Sequence, residues 1–273
     1  MNQDLVEKII NIEAKYYPLI EVLEEKQEQN SYRYRELYKG IISIQSKISF
    51  QPEILFIGIN PGEGAFLEKN HKNGNTFYFP KELLTKNTSL ELNWFKDNNA
   101  RYGKWFDENA KTKNSFPKQM IDILLGFSEK KLGKRIDLKN EDERNLFINE
   151  IANKIVYTNI CPIATKSTKE LKIIYKKLAE ENTLKNHWNG TVQNFFRQRA
   201  IDLILELQPK LIVCVGNSAY KELFFKNTSN KEKVFSSTES VRKNNDQKFK
   251  VVTFSRKGAW DIKKISELLK NER

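Results

Sequence analysis

Two asparagines stand where this sequence can do chemistry. Asn60 lies in ILFIGINPGEGAF, residues 54–66, directly after an apolar run, and Asn159 lies in KIVYTNICPI, residues 154–163, at the same place after a second one. A primary amide both donates and accepts hydrogen bonds but takes no proton near neutrality, so its work is to orient a ligand or a water. Two such amides at neighbouring strand ends can converge on one small ligand that carries donors and acceptors. Around Asn60, Gly58 and Gly62 allow a ligand to approach the backbone beside Ile59, and Pro61 stiffens the turn. Taken alone, this pentapeptide also reads as an ordinary Asn-Pro-Gly turn.

Other chemistries lack their residues. No Lys followed by Ser or Thr comes after the last glycine of the first motif, as a phosphate loop requires, and no G-x-G-x-x-G dinucleotide fingerprint occurs. Cys161 and Cys214 are the only cysteines, so an iron–sulfur cluster lacks its four thiolates and no zinc-ribbon spacing exists. His71 and His187 are the only histidines, and the H-x-E with C-x-x-C of zinc deaminases is missing. No metal or cofactor is expected. Both cysteines sit in or just after apolar runs, where a thiol packs as a small hydrophobe.

The elements that must position the two amides follow from four short apolar runs: 54–57, 155–157, 211–215 and 251–254. Each is nearly continuous in apolar residues, as strands covered on both faces are. Helical patterns run over 118–127, 143–152, 194–207, 218–225 and 260–269. Strands alternating with helices predict a three-layer α/β/α sandwich on a four-stranded, mainly parallel sheet, with ligands beyond the carboxyl ends of the strands. Residues 1–50 form a helical N-terminal extension: 4–25 repeat apolar residues at steps of three and four with a break near Pro18, and 31–48 add a further helix. Tyr32, Tyr34 and Tyr38 pack that extension on the main domain, residues 51–273. A polar, aromatic insertion covers about 63–115, and loops of this length usually carry function. Residues 227–248, rich in Ser, Asn and Lys, read as an exposed loop. His187-Trp188 reads as structural or surface.

Lys and Arg number 47 against 35 Asp and Glu, a net charge of +12 spread along the chain, which suits a polyanionic partner. No apolar stretch nears the ~20 residues needed to span a bilayer, and MNQDLVEKII has no signal-peptide layout. A cytoplasmic monomer with no membrane contact is expected.

GINPG after the first strand, NICP after the second and LIVCVGNSA at the third together resemble the uracil-DNA glycosylase superfamily, closest to its single-strand-selective monofunctional and mismatch-specific branches. The resemblance runs in order from about residue 53 to 262. It implies a base flipped out of single- or double-stranded DNA and cut at its N-glycosidic bond. Asn60 matches the family's catalytic Asn, which orients a water. Asn159 matches the Asn that reads the polar edge of the base, and Gly58, Ile59, Pro61 and Gly62 line the base site. The resemblance also implies a stacking aromatic near Phe77, Tyr78 and Phe79. Phe77 is taken for that ring, against the alternative that FYFP packs within the insertion. The sequence departs from the pattern at the fourth strand, where His-Pro-Ser or Met-Pro-Ser gives way to TFSRKGAW. Ser255 is retained, Arg256 and Lys257 can grip phosphate, Gly258 permits close approach, and Trp260 packs on the sheet.

The expectation is thus a DNA glycosylase acting on uracil or a related damaged base. The alternative is a non-catalytic member of the same fold that binds nucleic acid or a modified nucleotide, in defence against foreign DNA. A generic nucleotide-processing hydrolase lacks its phosphate-loop or carboxylate signatures.

Overall fold

The computed structural model describes residues 3–28, 37–38, 44, 48–62, 115–151, 154–225, 234–242, 246–254 and 265. Its sheet has five strands, β1 (Ile54–Gly58), β2 (Ile155–Asn159), β3 (Ile212–Cys214), β4 (Val234–Arg242) and β5 (Asp246–Phe254). They lie in the order β2-β1-β3-β5-β4. β1, β2, β3 and β5 run parallel, with Gly58 facing Asn159 at the end of the β1–β2 ladder.

The apolar runs become strands because both sheet faces are covered. Along β1, Leu55 and Ile57 join one core cluster while Ile54 and Phe56 join the other, the alternation a pleated strand imposes. Helices α3 (Ser115–Leu132) and α4 (Glu141–Glu150) cover the second face with Met120, Leu124 and Phe147. The first face is covered by α5 (Thr168–Glu180), α6 (Val192–Leu207) and α7 (Asn217–Phe224). The α/β/α sandwich is the expected one, with one strand more.

That fifth strand corrects the loop expected over 227–248. β4 pairs antiparallel with β5 from Val234↔Phe254 to Arg242↔Asp246. Its sequence VFSSTESVR is polar because β4 is an edge strand, and edge strands do not need two apolar faces. The buried Glu239 accepts a hydrogen bond from the Tyr220 hydroxyl of α7, which holds the edge strand to the helix layer.

Helix α5 lies in a stretch where no helix was expected. Its signal is a capping box: Ser167 accepts from the backbone N–H of Glu170, and the Glu170 carboxylate accepts from the backbone N–H of Ser167. Leu171, Ile174 and Leu178 follow at steps of three and four and are buried.

At the N-terminus, α1 (Gln3–Ala14) and α2 (Tyr17–Glu28) meet at Lys15-Tyr16, with Pro18 in the first turn of α2, where its missing N–H costs nothing. α1 packs on α6, and Val6, Ile9 and Leu19 are fully buried in the same cluster as Leu55 and Ile57. Tyr38 is buried there too, while Tyr32, Tyr34, most of 31–48, the insertion and the last predicted helix except Ile265 lie outside the described residues. Trp188 packs against Phe195, and His187 is exposed.

Because α1 shares the core, Ile9→Ala is expected to destabilise the whole domain by about 2–5 kcal/mol. Urea unfolding followed by circular dichroism should show one transition at a lower midpoint. An unchanged midpoint would mean that α1 contributes nothing to the core.

Candidate functional site

The β1–β2 ladder does not stop at the strand ends. The backbone N–H groups of Ile160 and Cys161 donate to the carbonyls of Gly58 and Ile59, both at 2.8 Å, and Thr165 N–H donates to the Pro61 carbonyl at 3.2 Å. A parallel bridge joins Gly62 to Thr165. The two post-strand segments therefore form one rigid tip, and both asparagines sit in it.

Asn60 is held by its nitrogen. Nδ2 lies 2.9 Å from Thr165 Oγ1, 3.1 Å from the Ile163 carbonyl and 3.0 Å from the Pro61 carbonyl. Carbonyl oxygens only accept, so the NH2 end of the amide must face them. The Thr165 hydroxyl donates in turn to the Ser167 carbonyl at 2.8 Å, which turns its lone pairs toward Asn60. With the nitrogen fixed, the half-buried group keeps its oxygen, Oδ1, at the opposite end. Oδ1 can accept a hydrogen bond from a water or a ligand hydroxyl.

Asn159 presents the opposite end. Its side chain is buried, and Nδ2 has no hydrogen-bond partner among the described residues. A buried amide nitrogen without an acceptor is costly, by about 1–3 kcal/mol, and such groups are few in native structures; Ser49 Oγ and Tyr175 Oη are two others among the described residues. Two residues on from Tyr157, whose ring joins the α3–α4 face, Asn159 projects to that same face. Across the ladder, a Cβ on Gly58 would come within 2.5 Å of Asn159 Oδ1. Only glycine leaves room for the amide there.

The remaining strand ends join the same edge of the sheet. Val215 N–H donates to the Ile57 carbonyl at 2.8 Å, and the buried Thr253 hydroxyl at the end of β5 donates to Asn217 Oδ1 at 3.2 Å. Phe77 and the stretch Ser255, Arg256, Lys257 and Gly258 lie outside the described residues. Sequence reasoning missed Thr165, whose only signal was its place three residues after Pro162 in the second tip, and the Ile163 carbonyl.

A separate cleft of about 430 Å³ opens on the other side of the sheet, lined by Ile59, Tyr175, Gln193, Glu222 and Phe225 among others. Gln193 Nε2 donates to Glu222 Oε1 at 2.5 Å, and burial raises the Glu222 carboxyl above the usual range. Neither Asn60 nor Asn159 lines this cleft, so it is not the site the two amides define. Beneath the second tip, burial pushes the Cys161 thiol up to about 12, and burial likewise raises Cys214. Neither is a nucleophile near neutrality. Among the described residues no cluster of His, Cys, Asp and Glu can hold a metal ion, and no helix is long and apolar enough to cross a membrane.

The family model of the Uracil DNA glycosylase superfamily matches residues 46–264. No curated protein matches the chain.

Two outcomes check this geometry. Gly58→Ala is expected to destabilise the fold by about 1–3 kcal/mol through the clash with Asn159. Gly62→Ala, where a Cβ meets nothing within 4 Å, should stay within about 0.5 kcal/mol of the parent. Equal urea midpoints for the two variants would refute the close approach at Gly58. Cys161 and Cys214 should also resist iodoacetamide at pH 8 in the folded protein, since a thiol with a pKa of about 12 is ionised in roughly one molecule in ten thousand there. Both should label after denaturation, as read by mass spectrometry.

Proposed function

This chain belongs to the uracil DNA glycosylase superfamily, and from that premise we propose that it hydrolyses the N-glycosidic bond of uracil or a closely related damaged base flipped out of DNA. At the level of the family, the fold is one of DNA-binding, glycosylase-like hydrolases that serve DNA repair. The observation that carries the finer reading is the orientation of Asn60, whose Nδ2 is fixed by Thr165 and two carbonyls.

In the proposed reaction a water adds to the sugar C1′ as the C1′–N bond breaks, and the bonding electrons leave on the base as an anion. One of the water's protons passes by way of solvent to the departed base, and the other stays on the new C1′ hydroxyl. Asn60 Oδ1 accepts a hydrogen bond from the attacking water and sets its approach. Its contribution is positional, since the amide takes no proton. Asn159 Nδ2, buried without an acceptor among the described residues, meets a carbonyl oxygen of the pyrimidine and satisfies it. That match of a lone donor to a base acceptor makes burial of the amide favourable only when the base is bound. The backbone of Gly58, Ile59, Pro61 and Gly62 is assigned as the floor on which the base lies, the Ile59 side chain turning to the cleft on the other face, and Phe77 is assigned to stack on the base. Arg256 and Lys257, with Ser255 and Gly258, are assigned to the DNA backbone, in keeping with the net charge of +12.

The fourth-strand stretch TFSRKGAW carries neither the His-Pro-Ser nor the Met-Pro-Ser of the branches it resembles, which favours a second reading as a non-catalytic binder of nucleic acid. Incubation with single- and double-stranded oligonucleotides carrying uracil, hydroxymethyluracil, hypoxanthine or xanthine, followed by alkaline strand cleavage, separates the two. Abasic product is expected from at least one, and binding without product from any supports the second reading. Asn60→Ala should slow excision by about a hundredfold or more while leaving the oligonucleotide Kd within about twofold, because Asn60 holds water and not phosphate. Equal loss of rate and affinity would reduce Asn60 to a structural turn residue.

A further inference from the structure

We propose that Arg199 on α6 and Glu13 on α1 are positioning residues for Asn159, acting through its backbone, so that the first helix of the chain belongs to the base-reading apparatus. This rests on the glycosylase reading of Asn159. Arg199 is 4% exposed and Glu13 fully buried. The guanidinium uses its three nitrogens in two directions. Nε and Nη2 donate to Glu13 Oε2 and Oε1, at 3.1 and 2.6 Å. Nη1 donates to the carbonyl of Asn159 at 2.7 Å and to that of Ile160 at 3.2 Å.

A guanidinium is planar and its fork rigid, so a carboxylate that grips two of its nitrogens also fixes where the third one points. Glu13 does that gripping. It is itself held by the Tyr16 hydroxyl, which donates to Oε2, and the guanidinium carbon lies 5.4 Å from the centre of the Tyr16 ring. Burial alone disfavours the cation, but Glu13 and Tyr16 outweigh it and the Arg199 pKa is raised, so the donor keeps its proton.

The two carbonyls that Nη1 holds are those of the last residue of β2 and the first residue beyond it. Holding both fixes the peptide plane between Asn159 and Ile160. The β1–β2 ladder holds the peptide plane before Asn159, so fixing the plane after it sets the direction of its Cα–Cβ bond from below while Gly58 leaves room above. A lysine in place of Arg199 keeps a charge but cannot grip the carboxylate with two nitrogens and reach the carbonyls with a third.

The test uses the full chain with Arg199→Lys and Glu13→Gln, which preserve charge and shape respectively. Single-turnover excision is measured well below the melting temperature, alongside oligonucleotide Kd and inhibition by free uracil, which meets the base site and no phosphate contacts. The expected result is a fall in excision of about tenfold or more with a parallel weakening of free-uracil inhibition and an oligonucleotide Kd within about twofold. A lower melting temperature with rate and inhibition unchanged would make the pair merely structural and overturn the proposal. Tyr16→Phe, which leaves the fork intact, gives a milder variant should either of the others fail to fold, and its smaller effect should fall on the same two readouts. If the parent protein excises no base, the glycosylase reading fails by itself. The positioning claim is then decided by the Asn159 side-chain amide signals in proton–nitrogen spectra, identified through Asn159→Asp: signals displaced in Glu13→Gln support it, and signals left in place refute it.

Discussion

Asn159 lies where it does because Gly58, its partner across the β1–β2 ladder, has no Cβ. A methyl group at that position would stand 2.5 Å from the amide oxygen, closer than packed atoms come. The register of two parallel strands thus becomes a constraint on chemistry, since slipping β2 by one residue would turn Asn159 to the other face of the sheet. Both faces of β1 and β2 are apolar, so it is the fit of individual side chains such as Val156 and Tyr157 into the two separate cores, and not a polar–apolar pattern, that opposes the slip. Core packing and placement of the polar group have one cause.

Around that constraint the polar groups have complementary states. Asn60 spends its nitrogen on three fixed acceptors and keeps its oxygen. Asn159 keeps a buried nitrogen with no acceptor among the described residues. One amide is arranged to receive a hydrogen bond and the other to give one, and both are held by backbone that continues the ladder past the strand ends. Positioning a water and reading a base by such groups requires the amides to be oriented before the ligand arrives, which lowers the ordering cost at the moment of reaction. The buried Arg199–Glu13 pair extends the same logic inward: breaking a buried pair by removing one member typically costs about 3–5 kcal/mol, since the other charge is left stranded.

What could be read from the residues follows from what is local. The four parallel strands were legible as continuous apolar runs, and the proximity of the two amides followed from their equivalent places after β1 and β2. β4 was not legible, because an edge strand such as VFSSTESVR carries no apolar run to announce it. α5 was legible in principle from the Ser167–Glu170 capping box and the spacing of Leu171, Ile174 and Leu178, but its surface lysines dilute the periodicity. Arg199 was beyond sequence reasoning: FFRQRAID shows two arginines on one helix, and nothing local says that Arg197 packs on the Phe225 ring while Arg199 turns inward to a carboxylate 186 residues away. Thr165 is likewise an ordinary hydroxyl until the fold brings it to 2.9 Å from Asn60.

That separation of 186 residues also bears on the order in which the molecule assembles. On a chain made from N- to C-terminus, Glu13 precedes Arg199 and lacks this counter-charge until α6 follows. Closing so long a loop is entropically slow, and contacts this distant are rewarded only after the intervening chain has been ordered. A nascent or truncated chain that ends before residue 199 already contains both asparagines, yet has no guanidinium to fix the second tip. The finished site therefore forms only once α6 has been made, and chains that stop short of it carry its residues without its geometry.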